Sequence, residues 1–317
     1  MQINFTPISY TNNNCSITAK PSVKFQYRNV TDSVSFSARN FLAQPEDKII
    51  STIIKSIQNE QNCLGVGSEA EVFQIEGTNY CVRLPYSRID DDTELISYFN
   101  DLNLKVNKED QVNHVVARLS NGATIMNKIN GRPVFSVSMT PMAILDSISK
   151  VSKLPQSAYC NLLNQIASAH KKDMMFDPYG TNVIFDSQSL TAIDFYKRQS
   201  RYKEDMYPLN DIYDALVNIK APPLGCEKAI IKKIYKAALA EFEPQKTPCL
   251  KPEEFEIYKF TLDLCKDKKI NDKQFEKIWN SFNELIVQKE LELTGVDVSS
   301  RLENAIVNTK EVLDEVF

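Results

Sequence analysis

Met175-Phe176-Asp177-Pro178-Tyr179-Gly180-Thr181-Asn182 is the stretch on which the reading of this chain turns, together with Thr191-Ala192-Ile193-Asp194-Phe195-Tyr196, whose aspartate follows Asn182 by twelve residues. An Asp followed five positions later by Asn offers a carboxylate that accepts a hydrogen bond from an attacking hydroxyl. It also offers an amide oxygen within reach of a metal ion. Asp194 closes a short apolar run, 190–193, which places its carboxylate at a strand end, in position to chelate Mg²⁺. Each piece also has a plainer reading. Asp-Pro and Tyr-Gly are common turn pairs, and an Asp after a strand often caps a turn.

Upstream lies Leu64-Gly65-Val66-Gly67-Ser68-Glu69-Ala70-Glu71-Val72-Phe73. Two glycines spaced by one residue let a hairpin backbone approach phosphate oxygens without Cβ clashes, although any Gly-x-Gly turn would match. Ten residues beyond Phe73 stands Arg83, in Tyr80-Cys81-Val82-Arg83-Leu84. Strand-like runs are expected at 71–75, 80–84, 112–119 and 123–128, with turn signals at 76–79 and 120–122. A helical stretch, 92–103, falls between the second and third runs. Ile49, Ile50, Ile53, Ile54 and Ile57 have helical spacing and place another helix over 47–58. These elements predict a small antiparallel sheet with a helix packed on it.

After Gly131 the character changes. Ala158, Leu162, Leu163, Ile166, Ala167 and His170 predict a buried helix over 157–171. Two brief apolar runs follow, 182–185 and 190–193, split by Asp186-Ser187. Beyond about 204 the pattern is helical, with helices expected over 227–243, 252–267, 271–293 and 298–316 and a break at 244–252. A strand-rich half thus precedes a helix-rich half.

The totals exclude several classes. At 317 residues the chain can bury one large core or two lobes around a cleft. With 43% hydrophobic and 25% charged residues it has an ordinary globular composition. A net charge of −4 spread over mixed signs gives no strongly basic field for nucleic acid. Seven scattered cysteines without a C-x-x-C pair, and two histidines, support neither a disulfide framework nor a Cys/His zinc site. The cysteines read as reduced thiols in a cytosol-like compartment. No run approaches the ~18 apolar residues of a membrane span, and Met1-Gln2-Ile3-Asn4-Phe5-Thr6 lacks the basic start and apolar stretch of a Sec signal. A soluble protein is expected. Residues 1–44, rich in Asn, Ser and Thr, read as a flexible polar leader. Within it S-V-x-F-x-x-R-N occurs twice, at 22–29 and 33–40, as edge strands or short docking motifs.

Taken in order, the glycine loop, basic strand, acidic helix, linker, buried helix, Asp-x₄-Asn and Ile-Asp-Phe resemble the protein-kinase-like superfamily over roughly residues 60–220. The resemblance implies an α+β, two-lobed fold: a small antiparallel-sheet lobe plus a larger helical lobe with extra carboxy-terminal helices. On that division 45–130 form the amino-terminal lobe, 131–223 the core of the carboxy-terminal lobe and 224–317 its helical extension. It further implies ATP and Mg²⁺ as cofactors. Gly65, Val66, Gly67, Ser68 and Val72 then match the phosphate-cradling loop, and Arg83 stands where the family has its phosphate-binding lysine. Glu94 matches the ion-pair partner of that residue, although a solvated helix position fits it as well. Met126 and Lys128, in the segment 126–133, match the hinge whose backbone binds adenine. Asp177 matches the catalytic base, Asn182 and Asp194 the metal ligands, and Asp211 the helix residue that braces the catalytic loop. His170 reads as a packed helix-end residue.

Three departures stand out. Arg83 replaces a compact ammonium by a planar fork. Met175-Phe176 replaces the usual His-Arg. Tyr196 replaces the glycine of Asp-Phe-Gly, and the 17 positions from Asp194 to Asp211 leave no room for Ala-Pro-Glu. The abbreviated layout resembles the compact effector kinases that pathogenic bacteria inject into host cells. The implied function is an atypical Ser/Thr protein kinase, cytoplasmic or secreted into a host cell. The alternatives are a small-molecule kinase resembling the aminoglycoside phosphotransferases and a partner-binding pseudokinase.

Overall fold

The computed structural model describes residues 41–67, 69–85, 102–119, 122–136, 139–197, 207–217, 224–244, 246, 249–250 and 255–317. The molecule is an α+β protein built on a six-stranded antiparallel sheet and a set of helices. Helix α1 (Glu46–Ile57) leads into the sheet, whose strands are β1 (Cys63–Val66), β2 (Ala70–Gln74), β3 (Tyr80–Pro85), β4 (Leu102–Asn103), β5 (Val115–Leu119) and β6 (Thr124–Asn127). Their order is β1-β2-β3-β6-β5-β4. The isoleucine stripe of α1 does what its spacing predicts. Ile49 and Ile53 are buried on one face of the sheet against Phe73, Val82, Leu84, Ala117 and Ile125. Phe41 joins this core, with its ring 5.9 Å from that of Tyr80.

The turn signal at 76–79 holds as well, whereas Ser120 and Asn121 of the one at 120–122 lie outside the described residues. Gly77, at φ +71°, turns the β2–β3 hairpin, and the Gln74 side-chain amide donates to the carbonyls of Ile75, Thr78 and Tyr80 at 2.9, 2.7 and 3.1 Å. Two expectations need correction. The run 112–119 is not all strand: Lys108–Val112 forms a short helix, α2, because Asn107 and Asp110 close a reciprocal capping box (2.8 and 3.0 Å). The chain then turns through His114 at φ +61° before β5 begins. Of the helix expected over 92–103, residues 92–101 lie outside the described residues, and Leu102–Asn103 pair with β5 as strand β4.

The second core is larger and mostly helical. After β7 (Arg132–Pro133) come α3 (Pro141–Lys153), which the periodicity did not mark, and α4 (Gln156–His170). Strands β8 (Met174–Phe176), β9 (Val183–Phe185), β10 (Leu190–Ala192) and β11 (Phe195–Lys197) follow, then helix α5 (Pro208–Leu216). The expected carboxy-terminal helices are α6 (Leu224–Ala240), α7 (Ile257–Lys266), α8 (Asp272–Leu293) and α9 (Ser299–Val316). Of these α7 starts at Ile257, later than the expected 252. Helix α4 buries Ala158, Tyr159, Leu162, Leu163, Ile166 and Ala167, and packs on α6, β8 and β10. Fully buried Tyr235 of α6 anchors the terminal helices. Its ring lies 4.9 Å from Phe260, 5.6 Å from Phe282 and 5.8 Å from Phe317, and its hydroxyl lies 2.6 Å from that of Thr261. Among the described residues no helix is long and apolar enough to cross a membrane, and the six described cysteines are free thiols.

The passage between the cores is tight at Gly131. Its φ is +126°, and a Cβ there would lie 2.3 Å from the carbonyl oxygen of Phe185. The close approach lets β7 pair with β9, with Arg132 opposite Phe185. Gly131→Ala must therefore strain its own backbone and push β9 away. The expected cost is about 2–4 kcal/mol, read as a lower denaturation midpoint at unchanged slope in urea.

Candidate active site

One face of the sheet packs on α1; Val72, Arg83 and Met126, all half-buried, lie on the other. Antiparallel register places Gly65 opposite Val72, Val72 opposite Arg83, and Arg83 opposite Thr124, so the four form one row across the strands. The β1–β2 turn closes with the Gly67 N–H donating to the Ala70 carbonyl at 2.9 Å. Val66, in that hairpin, is 61% exposed. Among the described residues, a Cβ at Gly65 would meet no atom within 4 Å, and one at Gly67 would meet the Ala70 carbonyl at 3.4 Å. Packing among the described residues therefore does not call for glycine at either position. The Arg83 guanidinium lies 3.9 Å from Glu69 at the hairpin tip, a solvent-exposed pair of little energetic weight. Ser68 and Glu94 lie outside the described residues. In the hinge-like segment, Met126 is part of β6. The backbone N–H groups of Asn127 and Lys128 already donate to His114 (2.9 Å) and Asn79 (2.8 Å).

The three residues read as base and metal ligands lie close to one another, flanked by strands of the second core. Strand β8 ends at Phe176, immediately before Asp177, and a 3₁₀ turn over Gly180–Asn182 brings the chain back. The Asn182 side-chain NH₂ donates to the Asp177 carboxylate at 2.9 Å and to its backbone carbonyl at 3.2 Å. Because that nitrogen faces Asp177, the amide oxygen is turned the other way, where it accepts a long 3.3 Å bond from Thr181 Oγ1. The Asn182 carbonyl accepts from the Ile193 N–H at 2.8 Å, which ties the turn to the start of the Asp194 segment. Asp194 itself has φ +65°, a left-handed conformation that Asp tolerates better than most residues.

Charge is concentrated here. Burial, then the neighbouring Asp194 carboxylate, push the Asp177 carboxyl above its ordinary value, with the Asn182 hydrogen bond pulling the other way. The half-exposed Tyr196 phenol is pushed up by burial and then by Asp177, Asp211 and Asp194. Behind the loop, buried His170 on α4 places its Nε2 3.2 Å from Asp211 on α5. Burial raises the Asp211 carboxyl, opposed by His170 and Lys259. His170 is thus the packed helix-end residue expected, and it meets Asp211 of α5.

Two side chains that the sequence did not single out also reach this segment. Asn113, in the turn after α2, accepts from the Phe195 N–H at 2.7 Å and donates to its carbonyl at 2.6 Å. Gln165, on α4, makes the same two bonds with Ala192, at 2.9 and 2.8 Å. No local pattern marks either: Asn113 falls inside an expected strand, and Gln165 is one of several polar positions, with Asn161, Asn164 and Ser168, on its helix. The chain matches no protein-family model and no curated protein.

The raised Asp177 carboxyl has a consequence for stability. A carboxyl whose folded value lies above its unfolded value favours the fold at low pH, and that contribution is lost as pH rises through the folded value. At neutral pH the ionised group is thus a liability. Asp177→Asn, which keeps a hydrogen-bond acceptor for Asn182, is expected to raise the melting temperature at pH 7 by about 1–3 °C. The gain should vanish below the ordinary carboxylate range; thermal melts of both forms between pH 3 and 8 check this.

Proposed function

We propose that this chain is an ATP- and Mg²⁺-dependent phosphotransferase of the protein-kinase-like superfamily, acting on a protein Ser or Thr. The observation that carries the proposal is the hydrogen bond from Asn182 to Asp177 beside Asp194. It joins an acid whose carboxyl is pushed up to two oxygen donors of the hard type that Mg²⁺ takes. Mg²⁺ uses one or two protein carboxylate or amide oxygens and takes the rest from phosphates and water. Asn182 Oδ1 and the Asp194 carboxylate fit that demand, and among the described residues no denser cluster of His, Cys, Asp or Glu competes for the role. When bound, the metal would neutralise charge on the nucleotide phosphates.

The chain's own residues supply the rest. Asp177 accepts the hydrogen bond of the acceptor hydroxyl and orients it; Asn182 keeps that carboxylate turned to its task. Glycines at 65 and 67 that no contact among the described residues demands suit phosphate oxygens approaching the hairpin backbone. Arg83, in register with Gly65 through Val72, extends its guanidinium on the same row as those phosphates. Met126 lines the same face and gives adenine an apolar surface. With Lys128 N–H held by Asn79, adenine is met by other groups of the 126–133 segment.

The test is transfer of label from γ-labelled ATP with Mg²⁺, comparing wild type, Asp177→Asn and Arg83→Lys, with nucleotide binding followed in parallel. Asp177→Asn should lower transfer by about 10²–10⁴-fold, the range for losing a general base, while leaving ATP affinity within about threefold. Arg83→Lys should leave transfer equal or higher. Transfer that survives Asp177→Asn refutes the assignment of the base. Label that appears on hydroxylated small molecules and never on protein would move the acceptor to the aminoglycoside-phosphotransferase type. Binding without transfer in every form would make the chain a scaffold.

A further inference from the structure

The segment around Asp194 is held in an unusual way. Ala192, the last residue of β10, pairs with Val183 of β9, whereas Phe195, the first residue of β11, pairs with Phe176 of β8. The chain changes partner strand between them, and the positive φ of Asp194 accommodates the change. On either side of that bend one carboxamide grips one residue's backbone at both its N–H and its carbonyl. Gln165 from α4 grips Ala192, and Asn113 from the turn after α2 grips Phe195. Because each backbone N–H needs an oxygen opposite it, both amides can sit only one way round. The Gln165 nitrogen also meets His114 Nε2 at 3.3 Å, which couples the two grips, since His114 follows Asn113 directly. Burial keeps the His114 imidazole below its ordinary value, against a rise from its contact with the Ala192 carbonyl.

We propose that Asn113 and Gln165 are positioning residues that set the direction of the Asp194 carboxylate for metal, an inference that rests on the phosphotransferase reading above. A strand-to-strand crossing with one residue at φ +65° has few ways to place its side chain once both neighbours are pinned. Released on either side, residue 194 relaxes towards the broad negative-φ regions, and its carboxylate changes direction relative to Asp177. Asn113 stands next to the small sheet and Gln165 in the larger core. The metal ligand is therefore aligned only when both parts of the fold are in place. The interval between Asp194 and Asp211 is short, and these two amides do the aligning that a longer segment would otherwise do.

The test uses the full chain with Asn113→Ser and Gln165→Ser. Calorimetry measures affinity for a non-hydrolysable ATP analogue, once in EDTA and once at saturating Mg²⁺, below each variant's own melting temperature. Both variants should keep the EDTA affinity within about twofold of wild type. Their affinity in Mg²⁺ should fall at least threefold, with about tenfold expected for removing the partner that orients a metal ligand. A smaller fall in Mg²⁺ in either variant, an equal fall in both conditions, or loss of the folded state in both variants overturns the assignment. If the wild type itself gains nothing from Mg²⁺, the phosphotransferase reading falls with it. If wild type gains and the variants do not differ from it, only the clamp is wrong.

Discussion

The Asn182 side chain is the joint on which the arrangement depends. With its side-chain NH₂ on the Asp177 carboxylate and its backbone carbonyl on the Ile193 N–H, Asn182 ties the turn after β8 to the end of β10. A hydrogen bond to a charged group contributes about 1.5–3 kcal/mol net, more than a neutral one. It also partly offsets the burial of a carboxylate that a second carboxylate already disfavours. The pairing of Phe176 with Phe195 holds Asp177 and Asp194 close whether or not this bond forms, so what the bond adds is the direction of the Asp177 carboxylate.

Around that joint the molecule has two hydrophobic cores and a polar seam. The smaller core gathers α1 and one face of the sheet; the larger one gathers the helices from α3 onward with β8 to β11. Contacts that link the sheet to the second core near Asp194 are made by amides and an imidazole, those of Asn113, Gln165 and His114, with Val112 packed beneath them. A seam of directional bonds fixes register in a way that apolar contact does not, because a displacement of an ångström breaks a hydrogen bond but barely changes buried area. The site therefore lies where the fold is most geometrically defined. Asp110 extends the same logic: burial opposes its ionisation, but bonds from Arg118 and the Asn107 backbone outweigh that and hold its carboxyl low, which secures α2 beneath the seam.

The parts of the fold legible in the sequence are those in which the chain speaks locally. The isoleucine period of α1 and the Glu76-Gly77-Thr78-Asn79 turn are set by near neighbours, and each appears where expected; the capping box that starts α8 at Asn271 and Gln274 is equally local. Helix α3 went unmarked although Thr140 and Pro141 begin it, because of its turns only Ser147, Ile148, Val151 and Ser152 are buried and two of those are polar. Strand signals at Val112 lost to a capping box five residues upstream. In the site, Asp177, Asn182 and Asp194 were legible because their spacing along the chain is itself the pattern. Asn113 and Gln165 were not: each meets its partner 82 or 27 residues away, and nothing in a polar amide announces which distant backbone it will bind.

The balance between a working site and a relic can be argued from what the fold holds rigid. Arg83, one of the departures from the kinase-like pattern, is held among the described residues by strand register and an exposed, distant pair with Glu69. The residues that match the pattern are the ones held on every side: Asp177 by Asn182, Asn182 by Ile193 and Tyr179, and Asp194 by the grips on its neighbours. Two carboxylates kept together in a partly buried place reduce stability, as the upward push on Asp177 records. A scaffold with no use for that pair would gain stability from almost any neutral substitution there, and most proteins sit close enough to their stability threshold for such a gain to matter. That the two carboxylates are kept together despite this cost is the feature that supports the phosphotransferase proposal over a scaffold.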